Sequence, residues 1–126
     1  MKLTLQCLVI ALAGGLGAVA RFLVVIGCAR WLGTGFPIGT FVINITGSFL
    51  LGWILTAGGH RLGLSPIFQL AIASGFLGAY TTFSTFMYES NALWSAAQEL
   101  KAMVNLLGSV VVGLAAVRLG MLVGRA

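Results

Sequence analysis

Gly75-Phe76-Leu77-Gly78-Ala79-Tyr80-Thr81-Thr82-Phe83-Ser84-Thr85-Phe86 is the stretch on which the reading of this chain turns. It carries no charge and lies inside a longer uncharged run, Leu62 to Tyr88. Two glycines precede a dense cluster of hydroxyl side chains. Glycine and β-branched threonine are poor helix formers. Ser and Thr side chains also bond backbone groups that an interrupted helix sets free. The combination predicts a helix broken near its middle. In a membrane, such backbone persists only where protein buries it or where it lines an aqueous path. Taken alone, these residues also fit a packing kink in which Ser and Thr bond back to the preceding turn.

The rest of the chain supplies the membrane. Of 126 residues, seven are Lys or Arg, two are Glu and 60% are apolar, with a mean hydropathy of +1.09. A soluble domain is about one-quarter charged; at 7% this chain lacks the polar surface to cover a globule. That excludes an ordinary soluble enzyme, a disordered tail and a secreted disulfide scaffold. Charge-free runs extend from Leu3 to Ala20, Trp31 to Gly59, Leu62 to Tyr88 and Ala102 to Val117. A spanning helix needs roughly 20 residues. The pattern predicts an all-α integral membrane fold, a single domain over 1–126. Four helices are placed at about 4–29, 37–58, 66–96 and 100–122. Gly33, Gly35 and Pro37 mark the first loop, Gly58 to Pro66 the second, and Gln98, Glu99 and Lys101 the third. The N-terminus imitates a secretory signal, with Ala11-Leu12-Ala13 as a cleavage pattern. The apolar run continues through Val19 and resumes after Arg21, which predicts a retained first span.

Net charge is +5, but the basic residues are scattered. Most fall at or near the ends of apolar runs, where basic side chains flank bilayer spans, and no nucleic-acid partner is expected. With both termini on one side, that side holds Lys2, Arg61, Arg125 and Arg118, against Arg30, Lys101 and Arg21 on the other. The bias is too weak for the positive-inside rule to fix an orientation, and a chain with so little bias can insert both ways.

Catalysis finds little support. His60 is the lone histidine and sits in a loop, with no Asp in the chain to join it at a metal. Gly15-x-Gly17-x-x-Ala20 matches a dinucleotide-binding pattern, but no strand precedes it and no acid follows at the required distance. Small residues for close helix packing explain it better. Polar residues inside spans are the functional candidates. Thr40, Asn44, Ser48 and Gly52 form one stripe on the second span, and Asn105 and Ser109 another on the fourth. Such stripes either bond helices together or line a path. Phe83 and Phe86, three apart, either fill space or turn electropositive ring edges toward an anion.

The string Thr81-Thr82-Phe83-Ser84-Thr85-Phe86 resembles the signature of the small bacterial fluoride channels, the Fluc or CrcB family. Gly14-Gly15-x-Gly17-Ala18 with Arg21, Gly39-Thr40 with Asn44, and Asn105-Leu-Leu-Gly108-Ser109 resemble other family segments, in family order over all four spans. The resemblance implies a passive, fluoride-selective channel of the bacterial inner membrane, surrounded by lipid, that lets fluoride leave the cytoplasm. It implies an antiparallel, dual-topology homodimer with a broken third helix and a structural sodium ion at its centre. Asn44, Thr82, Phe83, Ser84, Phe86, Asn105 and Ser109 would belong to the fluoride pathway. Arg21 would stand at a vestibule, Glu89 matches the acid after the signature, and the backbone carbonyls of Gly78 and Thr81 would hold the sodium. Ala79, Tyr80 and Lys101 depart from the family pattern. Neutral amide and hydroxyl donors suit a small, strongly hydrated anion, because they replace its water without the trapping charge of Lys or Arg. Two other classes stand beside this one: a small dual-topology drug exporter, which needs an acid within the membrane to exchange protons, and a non-transporting assembly subunit.

Overall fold

The computed structural model describes residues 2–126. Among the described residues there is no strand. Helix α1 spans Leu3–Leu32 and α2 spans Ile38–Ala57. The next span is a succession: α3 at Pro66–Leu70, a π-helical stretch at Ala71–Leu77, α4 at Gly78–Tyr80 and α5 at Ser84–Ser95. Helix α6 spans Glu99–Arg125. Leu3–Leu32, Ile38–Ala57, Pro66–Ser95 and Glu99–Arg125 are each long and apolar enough to cross a membrane. The chain is a multi-pass membrane protein.

Local chemistry sets the helix ends. Gly33 takes φ +80, the left-handed value that glycine tolerates best, and its amide bonds the Ala29 carbonyl at 3.1 Å. Helix α1 therefore continues three residues past the expected residue 29. Arg30 remains in its last turn, where a cation complements the helix dipole. Pro66 opens α3 at a position that needs no amide hydrogen. At 1.5 Å per residue, α1 is about 45 Å long against a hydrocarbon layer of about 30 Å, so it either tilts or extends into the interface.

Small residues bring the helices together. Lipid offers no hydrophobic drive for helix association, so close backbone approach and van der Waals contact supply it. Helices α2 and α6 lie side by side, with Gly52 against the Val117 carbonyl and Gly120 against that of Phe49. On α1, Gly17 sits against the Phe76 carbonyl, and a Cβ on Gly75 would stand 2.7 Å from that of Ala13. Gly15 has nothing within 4 Å of a built Cβ. Of the Gly15-x-Gly17 pair, only Gly17 is a packing residue in this chain.

Where α1, α2 and the third span meet, Ile43, Leu77 and Tyr80 are buried together. Tyr80 stacks on Phe76 with ring centroids 5.9 Å apart, and its hydroxyl lies 3.1 Å from Thr46 Oγ1. Side chains also tie the loops down at each end. Arg61 donates to the Val123 carbonyl and Lys101 to that of Gly35, both at 3.1 Å.

Candidate functional site

The backbone between α4 and α5 positions the site. The π-helical stretch carries its amide bonds one residue further than an α-helix does, so the Gly78 amide reaches the Ala73 carbonyl. π-Helical segments are rare and concentrate at functional sites. Thr81 then turns extended, with φ −84 and ψ 160, and helix resumes at Ser84. Thr82 helps restart it: its Oγ1 accepts the Thr85 backbone amide at 3.3 Å and lies 3.1 Å from Thr85 Oγ1. Thr81 Oγ1 bonds back to the Leu77 carbonyl at 3.1 Å.

Asn44, on α2, holds this backbone from the side. Its Nδ2 donates to the Thr82 carbonyl at 3.0 Å, and its Oδ1 accepts the Thr82 amide at 2.8 Å. The side-chain amide thus pairs with both backbone groups of one residue, as a neighbouring strand would. In a continued α-helix the Thr82 amide would bond the Gly78 carbonyl four residues back. Here that donor goes to Asn44 instead. A primary amide has two N–H groups and an oxygen with two lone pairs, so the clamp leaves one N–H of Asn44 uncommitted. Gly47, one turn along α2, leaves room for the Thr81 methyl group. Ser48 donates to the Asn44 carbonyl at 2.7 Å.

A cleft of about 400 Å³ opens beside this clamp, lined by Asn44, Ser48, Gly78, Thr82, Phe83 and Phe86 among others. The two phenylalanine rings meet edge to face, with centroids 6.3 Å apart and planes at 63°. Phe86 is buried, whereas Phe83 is 74% exposed. The lining includes amide and hydroxyl groups, and no Lys, Arg, Asp or Glu.

A family model described as "CrcB-like protein, Camphor Resistance (CrcB)" matches residues 8–121. The chain belongs to the CrcB family. It is 47% identical over 123 residues to a protein of Methylococcus capsulatus named fluoride-specific ion channel FluC, a match covering 98% of this chain and 54% of that one. Proteins of the same printed name from Acidobacterium capsulatum and Solibacter usitatus are 49% and 42% identical, over 91% and 96% of this chain and 92% and 99% of theirs. The chain spans about half the length of the Methylococcus relative and nearly all of the other two.

The other site candidates of this CrcB chain lie around the cleft rather than in it. Arg21 lines a separate cavity with Thr40, Thr82 and Thr85, and its Nη1 reaches the Thr81 carbonyl at 3.4 Å. Ser84 is exposed at the start of α5. Asn105 is 1% exposed; its Nδ2 donates to Ser90 Oγ at 2.9 Å, and Ser90 donates to the Phe86 carbonyl at 2.7 Å. Asn105 therefore stands behind Phe86, joining α6 to α5. Among the described residues, Ser109 Oγ is buried without a partner, and Thr40 Oγ1 and Glu89 Oε2 are likewise buried without a well-formed hydrogen bond. Thr40 and Glu89 both line a third cavity of about 380 Å³ between the first loop and α5. Sequence reasoning passed over Thr85 and Ser90 as individual residues. Ser90 lies four residues after Phe86 on one helix face, a spacing that signals back-bonding. Thr85 offered only its place in the hydroxyl cluster.

Proposed function

We propose that the chain is a passive, fluoride-selective channel of the bacterial inner membrane that lets fluoride leave the cytoplasm. The observation that carries this reading is the uncharged, donor-bearing cleft formed by Asn44, Thr82, Phe83 and Phe86. Membership of the CrcB family and relatives named fluoride-specific ion channels support it. Burying a bare small anion costs many kcal/mol unless donors replace its water. The free N–H of Asn44 and the hydroxyls around it offer such donors. Ring edges of Phe83 and Phe86 add electropositive surface with no charge to trap the ion. Ser84, Asn105 and Ser109 extend the pathway on α5 and α6, and Arg21 draws anions toward it.

The functional unit in this reading is an antiparallel, dual-topology homodimer whose third helix is broken at Thr81 to Phe83. The weak charge bias supports dual insertion. The 74% exposure of Phe83 supports a second chain over the cleft. A sodium ion at the two-fold axis fits the donors present. The Gly78 carbonyl is left without its helical amide, and unwound carbonyls at a half-helix C-terminus suit a hard monovalent cation. The long Arg21 contact leaves the Thr81 carbonyl a lone pair for the same use. Bound there, the ion would supply positive charge to these carbonyls and join the two chains.

Efflux from proteoliposomes tests the reading. Fluoride-loaded vesicles should empty once a potassium ionophore relieves the voltage, with no proton gradient, while chloride-loaded vesicles stay full. Equal chloride efflux would overturn the selectivity, a requirement for a proton gradient would favour the exporter class, and no flux of either ion would favour an assembly subunit.

A further inference from the structure

We propose that Asn44 is a positioning residue for a cation site: by capturing the Thr82 amide, it keeps the Gly78 carbonyl out of the helix and available as a ligand. The inference rests on the sodium reading above for the identity of the cation. The carbonyl's release rests on geometry alone.

In hydrocarbon, each unsatisfied backbone group carries a penalty of several kcal/mol. Interrupting a helix at Thr81 frees several such groups, among them the Thr82 amide, the Thr82 carbonyl and the Gly78 carbonyl. Asn44 satisfies the first two through Oδ1 and Nδ2 at 2.8 and 3.0 Å. The Gly78 carbonyl, which the Thr82 amide would otherwise bond, is left over, and Gly78 is exposed on the open side of the cleft. Without the Asn44 amide, the cheapest repair is local: the Thr82 amide swings back to Gly78, Thr81 becomes helical and the ligand disappears. The surroundings favour the present arrangement. Thr81 Oγ1 holds the Leu77 carbonyl, and Gly47 makes room for the Thr81 side chain in its extended conformation. Asn44 thereby acts on the cation through the peptide chemistry of Thr82, in addition to any contact of its free N–H with a permeating anion.

A rescue experiment separates this role from general support of the fold. Proteins are prepared in sodium-free N-methylglucamine buffer, and sodium is titrated against the melting temperature and the dimer fraction. Asn44→Ala should weaken the apparent sodium affinity at least about tenfold. The double variant Asn44→Ala/Thr82→Pro should recover it to within about threefold of wild type. Proline has no amide hydrogen to return to Gly78, and it keeps the preceding Thr81 extended. Thr82→Val, which removes only the hydroxyl, should respond to sodium as wild type does. In parallel, isotope-edited infrared spectra of a ¹³C=¹⁸O label at Gly78 read the carbonyl directly, without sodium. The band should move to lower, helix-bonded frequency in Asn44→Ala and return in the double variant. Full sodium affinity in Asn44→Ala, a double variant no better than Asn44→Ala, or one Gly78 band common to all three proteins overturns the inference. A wild-type protein that ignores sodium while its Gly78 band follows the expected pattern overturns the sodium identity and leaves the carbonyl's release by Asn44 standing.

Discussion

Phe83 and Phe86 meet edge to face at a centroid distance of 6.3 Å, yet one ring is 74% exposed and the other 7%. Two residues of the same type, three apart, therefore carry different structural burdens. Phe86 is buried at the wall of the cleft, with its carbonyl held by Ser90. Phe83 projects from the turn onto open cleft, where only a lipid, an ion path or a second chain can face it.

That difference makes the pair a test of ring chemistry against ring volume. Phe86→Ile should lower stability by up to about 1.5 kcal/mol, the usual ceiling for a volume-conserving apolar swap. Phe83→Ile should leave the melting temperature of the isolated chain nearly unchanged. If ring edges face the permeating ion, both variants should still lose fluoride flux by at least about tenfold, equivalent to roughly 1.4 kcal/mol on the barrier. Flux at wild-type level in either properly dimeric variant would assign that ring to packing.

The glycines of α1 give a second contrast. A methyl group on Gly17 would run into the Phe76 carbonyl, whereas one on Gly15 would meet nothing within 4 Å. Gly17→Ala should therefore destabilise by about 1–3 kcal/mol, the range for overpacking a close contact. Gly15→Ala should be neutral or stabilise by up to about 1 kcal/mol through helix propensity. Melting in detergent measures both. A Gly15→Ala loss as large as that of Gly17→Ala would mean that a second chain covers this face of α1.

The four spans were legible because composition and the lengths of the charge-free runs nearly dictate them in a bilayer. Their boundaries were less so: α1 extends to Leu32 because Gly33, not Arg30, terminates it. The sequence also marked the stretch Gly75 to Phe86 as a weak point in a helix. It did not show how the exposed peptide groups are satisfied, since the Asn44–Thr82 pairing joins residues 38 apart and no local pattern encodes it. The same holds for Asn105. Its place on a polar stripe suggests a path, whereas its bond to Ser90 depends on how α5 turns back against α6. The π-helical register of Ala71–Leu77 was invisible for a related reason: nothing in an apolar run distinguishes bonds to the fifth residue from bonds to the fourth.

The proposed dual topology rests on the weak charge bias and is testable as such. Reporter tags at the C-terminus should be found on both sides of the membrane in comparable amounts, because the basic residues are divided almost evenly between the two ends. Adding two lysines to the loop at Gly58 to Ser65 should shift the population toward one side and lower the yield of active channel. A single orientation for the unmodified chain would contradict the antiparallel dimer.

Asn105 and Ser90 form a buried side-chain hydrogen bond that joins α6 to α5. Asn105 Nδ2 donates to Ser90 Oγ at 2.9 Å, and the Ser90 hydroxyl donates to the Phe86 carbonyl at 2.7 Å. Asn105→Ala removes the donor and leaves a cavity at a residue only 1% exposed. It should destabilise by about 1–3 kcal/mol. Ser90→Ala should cost about 1–3 kcal/mol: the Phe86 carbonyl keeps its helical amide, but the buried Asn105 Nδ2 loses its acceptor. The double variant should lose less than the sum, with a coupling of about 0.5–1.5 kcal/mol. Fluoride flux in the same proteins then tells support from conduction. Should Asn105 act only through Ser90, the two single variants will lower flux to the same extent and the double variant no further. Should its amide also touch the ion, Asn105→Ala will fall well below Ser90→Ala.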